Sequence, residues 1–407
     1  MIVNSAWKNL FVSNFLGVFN DNFLKNTIIF IAIGWSLPSW LTQSQLISVV
    51  SAMLVIPYLL LSPLGGRLSV RYSKLRVFRF FKLIEIPIMM LASLAFYLEW
   101  TWLAVVSVLL MGIQSCLYSP AKYGLIRDIG GKEGSAFGSG MFETMAFLGI
   151  LLGTLSAAVV SDYYHPALLS AGFLILALGG YIATRSIRAT ELPTEEDTSM
   201  GIHLSPWQFM IDSFRVAREH RHINIGVFSV AAFWLIGALL QMNIIIHSGH
   251  VFDASNTATG MVMAFAAIGI AAGSGLSGML LKRGRRSTLI FGGLIGMIVS
   301  MLVMLLLPLS FEGFAIFVLL AAFSGGVFQV PHLTSIQRAD LGRKLGQIIA
   351  YMNLTTFVLL LLGTALFSLT TSLSNESSAA VFLLIIGICL LLGVILVVEK
   401  VKSNKHK

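Results

Sequence analysis

Charge is scarce in this chain. Asp, Glu, Lys and Arg make up 11% of its 407 residues, where a soluble domain carries about a quarter. So little charge excludes an ordinary water-exposed fold of this length. Cysteine is nearly missing too. Cys116 and Cys389 both fall inside apolar runs, too few for a disulfide framework, and are expected to be core residues. There is no glycine-rich phosphate loop, no Ser-His-Asp set and no zinc signature. Neither an enzyme nor a bound cofactor or metal is therefore expected. His247 and His250, three residues apart, offer too few ligands for a metal site.

What the chain does have is hydrophobic length. Apolar residues make up 57% of it, with 37 glycines, a composition that suits helices packed closely through small side chains. Twelve apolar segments run at 10–36, 44–66, 77–98, 101–126, 135–160, 165–185, 223–246, 257–281, 287–308, 313–336, 345–371 and 377–398. Each is long enough to cross a bilayer core, which takes roughly 20 helical residues. The expected class is an all-α polytopic membrane protein.

The positive charge is one-sided. The connections after the odd segments contain no Lys or Arg and carry Glu99, Asp162, Asp253, Glu312 and Glu376 instead. The even connections collect Arg67, Arg71, Lys74, Arg76, Arg79 and Lys82 after segment two, and Lys282, Arg283, Arg285 and Arg286 after segment eight. The tail adds Lys400, Lys402, Lys405 and Lys407. All 27 Lys and Arg follow this rule apart from a single intramembrane exception. Both termini and all even loops are thereby expected on the cytoplasmic side. The net charge of +9 belongs to short loops beside anionic headgroups, so no nucleic-acid partner is expected. With one Lys ahead of a long first segment and no small-residue cleavage site, that segment reads as a retained helix.

The chain divides in two. A polar stretch from Arg185 to His222, with Pro193 and Pro206, separates six segments from six. The expected organisation is a six-helix bundle at 1–186, a linker at 187–221, and a second bundle with a basic tail at 222–407. Within the linker, Pro206-Trp207-Gln208-Phe209-Met210-Ile211 through His220 reads as an amphipathic helix on the cytoplasmic surface. A solvated connector is the plainer account of it. An internal repeat supports the division. Pro120, Arg127, Glu143 and Leu-Leu-Gly-Thr at 151–154 match Pro331, Arg338, Asn353 and Leu-Leu-Gly-Thr at 361–364, at offsets of 211, 211, 210 and 210. Gly66-Arg67-Leu68 matches Gly278-Met279-Leu280 at 212. Two six-helix pseudo-repeat halves, parallel and enclosing a midplane site, resemble the major facilitator architecture. That superfamily favours a Gly-x-Leu-x-Asp-Arg-x-Gly-Arg-Arg string after spans two and eight. Here the glycine and the basic cluster are present, but Val70 and Lys282 stand where the acid would be.

Polar groups inside spans need a reason, since a charge at the bilayer centre costs about 2.5–3.5 kcal/mol even on lenient scales. Span one is the densest, with Asn14, Asn20, Asp21, Asn22, Lys25 and Asn26. Asp21 and Lys25, four apart, share a helical face and can partly neutralise one another, and Asn14 lies on that face too. A substrate path or gate is one account; interhelical packing is the plainer one. Span four ends in Tyr118-Ser119-Pro120-Ala121-Lys122-Tyr123-Gly124. There Pro120 kinks the helix, and Lys122 either points inward or snorkels to the cytoplasmic face. Glu143 in span five has Asn353 as its repeat mate, and a bridge from Glu143 to Lys122 or Arg127 would make a gate. Arg71, Arg76 and Arg338 are the further gating candidates. Gln241, Asn243, His332, Gln337 and Asn353 are weaker ones.

Several strings together are similar to bacterial lysophospholipid transporters of the major facilitator superfamily. They are Phe19-Asn20-Asp21-Asn22, Ser119-Pro120-Ala121-Lys122-Tyr123-Gly124, Glu143 with Leu151-Leu152-Gly153, Phe233-Trp234, and Gly325-Gly326-Val327-Phe328-Gln329-Val330-Pro331. The resemblance implies movement of lysophospholipids from the outer to the inner leaflet of the bacterial cytoplasmic membrane. It also implies a partner acyltransferase or acyl-carrier ligase on the cytoplasmic face, and a monomer among membrane lipids. By motif it singles out Asp21, Asn22, Lys122 and Glu143, with Lys25, Asn14 and Gln241 beside them on the headgroup path. The chain departs from the family's better-known members in span seven, where Gln241 replaces an arginine, and at Lys25, where they carry leucine. The headgroup preference is therefore not carried over. A facilitator for a drug or small metabolite is the alternative, and the sequence names no coupling ion.

Overall fold

A computed structural model describes residues 5–31, 35, 43–191, 203–220, 222–281, 284–375 and 377–404. Pro193, Lys282, Arg283, Glu376, Lys405 and Lys407 lie outside the described residues. Among the described residues every regular element is a helix. They are α1 (Ser5–Ile31), α2 (Gln43–Arg71), α3 (Lys74–Tyr97), α4 (Thr101–Asp162), α5 (Pro166–Arg185), α6 (Pro206–Glu219), α7 (Ile223–Phe252), α8 (Asn256–Leu280), α9 (Arg286–Leu306), α10 (Phe311–Arg338), α11 (Leu345–Leu373) and α12 (Ser378–Asn404). A 3₁₀ turn, Gly342–Lys344, leads into α11.

Ten of these helices are long and apolar enough to cross a membrane. One of the ten, α4, has 62 residues, which at 1.5 Å per residue is about twice what a crossing needs. It carries both of the segments expected at 101–126 and 135–160. Only Gly131 departs from helical angles, at φ 59° and ψ −163°, a region open to a residue without a Cβ. Helix α1 has 27 residues but is too polar to count among the ten. With α4 counted twice and α1 included, the twelve expected crossings are all present as helix.

The chain folds as two compact units, Met1–Gly138 with Leu148–Glu219 and Gln337–Leu354, and Ser139–Phe147 with His220–Ile336 and Thr355–Lys407. In the first, α5 packs against α1 and α3, around a core that includes Phe23, Leu24, Met89, Phe96 and Phe173. In the second, α12 packs against α7 and α9. The last span of each half thus lies on that half's first and third spans, so the sequence repeat is also a repeat of packing.

Helix ends in the first unit are closed by charged side chains from distant segments. The first N–H groups of α3 have no partner within the helix. Glu191 supplies one: Lys74 N and Leu75 N donate to its carboxylate at 2.5 and 3.0 Å, and Ser73 Oγ donates at 2.8 Å. A negative charge there also meets the positive end of the helix dipole. At the other pole, Arg79 donates to the carbonyls of Thr184 and Ile187 at the end of α5, at 3.2 and 2.8 Å. Helix α6 forms where the amphipathic pattern predicts it. It buries Phe209, Ser213 and Ala217, and Gln347 Nε2 donates to Ser213 Oγ at 3.1 Å. Its opposite face leaves Trp207 72% exposed.

Candidate functional site

The polar residues of span one do not act as one group. Asn26 ties α1 to the second half of α4 by donating to Thr154 Oγ1 at 2.9 Å. Asn22 donates to the Val18 carbonyl of its own helix at 2.8 Å. These two carry the plainer reading, packing between and within helices. Asn20 and Asp21 turn elsewhere, into a buried polar cluster between α1, α3 and α4.

That cluster is built on two residues the sequence reading misses. Lys82, counted above with the loop after segment two, lies two turns inside α3 and is fully buried. The rule of a single intramembrane cation is thereby corrected. Its Nζ sits 2.5 Å from Oε2 of Glu85, also fully buried, and Asn20 Nδ2 donates to the other Glu85 oxygen at 2.8 Å. Asp21 accepts from Ser115 Oγ on α4 at 3.0 Å. Among the described residues no ion pair joins Asp21 to Lys25, although Asp21 is the charge that acts on Lys25. The charges that act on Asp21 are Glu85, Lys82 and Lys122. The Lys122 ammonium lies over the rings of Tyr118 and Tyr123, 5.2 and 5.8 Å from their centroids. The signal for Lys82 and Glu85 was an acid–base pair at i, i+3 within an apolar helix. Its position near the start of α3 concealed it, because lysines near the end of a span commonly reach water.

Room for the Lys82 head comes from two glycines. A Cβ on Gly17 of α1 would lie 2.8 Å from Lys82 Nζ and 3.3 Å from the Tyr118 hydroxyl. One on Gly180 of α5 would lie 3.0 Å from Lys82 Nζ. Ser13 Oγ donates to the Gly180 carbonyl at 3.1 Å, holding α1 and α5 together beside the ammonium. The cluster therefore has both signs of charge in a dry setting, where an unpaired ion is far costlier than a paired one.

A second polar layer lies around the middle of α4, beside the kink at Gly131. Lys74 Nζ and Asp128 pair at 2.6 Å, both nearly buried. Arg127 donates to the Gln337 carbonyl at 2.6 Å and to Asp340 at 3.3 Å. Lys132 meets the other Asp340 oxygen at 2.5 Å, and Arg338 donates to the Lys132 carbonyl at 3.0 Å. Arg127 and Arg338, repeat mates, each bond to the segment that follows the other. The Lys132 hydrogen bond, its charge, and the bond and charge of Arg127 hold the Asp340 carboxyl below its usual range. Val70, in the place of the superfamily's acid, contributes its carbonyl, which accepts from Arg343 at 2.6 Å. Arg71 and Arg76 are not part of this layer. Arg71 stacks on Tyr72 at 5.6 Å, and the backbone N–H of Arg76 donates to the capping Ser73 Oγ at 3.2 Å.

The other sequence candidates are dispersed. Glu143 is buried and accepts from Gln329 Nε2 at 3.3 Å. Asn353 donates to Ser119 Oγ at 2.9 Å and Gln337 to the Tyr123 carbonyl at 2.9 Å. Asn243 donates to the Ser378 carbonyl at 3.2 Å, and His247 shares a 2.7 Å bond with Ser378 Oγ. Asn14 is buried, Gln241 is exposed, and His332 is buried against Phe328. Cys116 and Cys389 are both buried free thiols.

Known proteins share this layout. The lysophospholipid transporter LplT of Cronobacter sakazakii is 26% identical over 375 residues, covering 89% of this chain and 88% of that protein. The Shigella flexneri serotype 5b protein of the same name is 27% identical over 372 residues, with 88% of each chain covered. Among solved structures, the human organic anion transporter MFSD10 superposes with a TM-score of 0.77 at 14% identity over 96% of this chain and 99% of that one. The Escherichia coli fucose:proton symporter FucP gives 0.70 at 13%, over 95% and 97%. At that identity the structures speak for the fold alone. The Major Facilitator Superfamily model matches residues 10–363, and the chain belongs to that family.

Proposed function

We propose that this protein moves lysophospholipids from the outer to the inner leaflet of a bacterial cytoplasmic membrane by alternating access. Both termini and the even loops then face the cytoplasm, where an acyltransferase or acyl-carrier ligase would restore the second chain. The reading is supported by similarity to lysophospholipid transporters over 89% of the chain. The observation that carries it is the set of opposite charges formed by the fully buried Lys82 and Glu85 and the half-buried Asp21 and Lys122. A lysolipid head carries a phosphate and, in the ethanolamine form, an ammonium as well. Its passage through a region of low dielectric needs groups of both signs, since an unpaired buried ion is strongly disfavoured. Asp21, Asn22, Lys25, Asn14, Lys122 and Gln241 are the proposed headgroup path. Arg127 and Arg338, with Glu143, Arg71 and Arg76, are the proposed gating set.

The test is uptake of labelled lysophosphatidylethanolamine into inner-leaflet products, comparing wild type with Asp21→Asn and Lys122→Ala at matched expression. Uptake by the wild type that either substitution abolishes supports both the substrate and the path. No uptake by a folded wild type removes the lysolipid reading.

A further inference from the structure

We propose that the outer face of α6 is a membrane-docking surface, seated in the headgroup layer of an anionic leaflet on the side where α2 ends. On the orientation proposed above, that is the inner leaflet. The surface does not depend on which substrate the protein moves.

Three observations carry the inference. The first is that α6 has three faces where a surface helix needs two. Phe209, Ser213 and Ala217 recur every four residues and are buried against the protein. Gln208, Asp212, Arg215 and Glu219 recur at i, i+4, i+7 and i+11 and form a polar face, on which Asp212 meets His203 and Arg215 at 3.6 Å each. Trp207, Ile211 and Phe214 recur at i, i+4 and i+7, apolar and yet 72%, 36% and 41% exposed. At 3.6 residues per turn this third face lies about 130° from the buried one and about 100° from the polar one. A helix between protein and water has no use for it, whereas protein, bilayer and water together occupy all three.

The second observation is where α6 lies along the spans. A Cβ on Gly66 would stand 3.5 Å from the Phe209 ring and 3.6 Å from Gln347 Cα, and Gln347 donates to Ser213. Gly66 is five residues before Arg71, the end of α2, and Gln347 is two after Leu345, the start of α11. Those offsets are about 7 and 3 Å along a helix. Helix α6 therefore lies beside the ends of membrane-crossing helices rather than beyond them, at the depth of about 5–10 Å that interfacial helices reach. The third observation is charge. Arg218 continues the exposed apolar face by one turn and Arg215 borders it, and both are exposed. The two acids, Asp212 and Glu219, are kept to the polar face. An indole and guanidinium groups turned one way, with carboxylates turned another, complement an anionic headgroup layer.

The experiment carries a nitroxide on the full chain, one position at a time, in vesicles of phosphatidylcholine and phosphatidylglycerol. Trp207→Cys, Ile211→Cys and Phe214→Cys are compared with Gln208→Cys and Glu219→Cys. The natural thiols, Cys116 and Cys389, are buried, and the unsubstituted chain gives the labelling background. Collision with oxygen, which concentrates in the bilayer, is set against collision with a water-soluble nickel chelate. Oxygen should dominate at 207, 211 and 214 and nickel at 208 and 219, so that the ratio inverts between neighbours 207 and 208. The oxygen preference at 207 should shrink in phosphatidylcholine alone, and again when Arg215→Gln and Arg218→Gln are combined. If Trp207→Cys is not monodisperse, Leu204→Cys, 50% exposed one turn before it, takes its place. Nickel collision as frequent at 207 and 211 as at 208 would overturn the proposal by placing the face in water. Protection of 207, 211 and 214 from both agents would overturn it in favour of a protein cover, such as a second copy of this chain. An oxygen preference unmoved by lipid charge and by the double arginine variant would overturn the anionic surface as the partner.

Discussion

Gly153 should not tolerate even one added methyl group. It lies in the second half of α4, facing α1, where a Cβ would stand 2.5 Å from the Phe19 carbonyl oxygen and 3.3 Å from Asn22 Cβ. An ordinary contact is about 3.4 Å or more, so Gly153→Ala must push the α1 backbone away by about 0.9 Å. The obstacle is main chain, which cannot rotate aside. One turn earlier, a Cβ added at Gly149 would stand 2.9 Å from the Phe15 carbonyl oxygen, so the two glycines form the close seam that small residues allow between membrane helices. Overpacking of this kind costs about 1–3 kcal/mol, or about 1–4 °C in the thermal transition of a chain this long. The shift falls on residues 19–22, so it moves Asn20 and Asp21 away from Glu85 and Ser115 and stretches the 2.9 Å Asn26–Thr154 bond. Gly153→Ala should therefore lose stability and lysolipid uptake together. Gly149→Ala should lose less of both, and Gly172→Ala, whose Cβ would meet only a side chain at 3.4 Å, should lose neither. Scanning fluorimetry in detergent and uptake at matched expression supply the two readouts. A Gly153→Ala protein with wild-type transition and uptake would refute the close seam and the argument built on it.

Glu85→Gln should destabilise the protein by about 3–5 kcal/mol, because it leaves the Lys82 ammonium buried without its counter-charge. Replacing both partners, as Lys82→Met with Glu85→Leu, should restore much of the loss in a denaturation series. Phe209→Ala on α6 removes a fully buried ring and should cost about 3–5 kcal/mol, whereas Trp207→Ala on the exposed face should stay within about 0.5 kcal/mol in the same assay. Asp340 has its carboxyl held below its usual range by Lys132 first and Arg127 second. Its contribution is thus complete above the ordinary carboxylate range and is lost only as pH falls through the lowered value. Labelling of Ile129→Cys, corrected for the thiolate fraction at each pH, should be constant between pH 5 and 8, and Asp340→Asn should raise it throughout that range.

The twelve crossings were legible because hydropathy and length report directly on the bilayer, and α6 because its two faces alternate with helical period. The break within α4 was legible as well. A charged stretch with two adjacent glycines at 130–131 separates the two crossings, and two helices meet there across a kink at Gly131. At the site, Asp21 stood out because an acid in the middle of a span has few ordinary explanations. Lys82 escaped notice because what turns it inward is a pair of absent side chains, Gly17 and Gly180, from elements far away in the chain. Asn22 and Asn26 stand in one polar run with Asp21, and composition does not separate a carboxamide on a path from one that bonds its own helix or a neighbour. Val70 looked like a missing latch, although a backbone carbonyl can receive an arginine at any residue.

The crossed bonds of Arg127 and Arg338 have a consequence for ancestry. A contact in which residue i reaches the surroundings of j, and j the surroundings of i, is what two identical chains make about a two-fold axis. Arg127 and Arg338 occupy matching places in the two repeats, so their exchange has the form of a dimer interface kept inside one polypeptide. The two sides are not alike. Asp340, which holds Arg127 and Lys132 together, has the uncharged Ile129 at the matching position, 211 residues earlier. A seam that two separate identical subunits would have to make alike on both sides here carries its acid on only one.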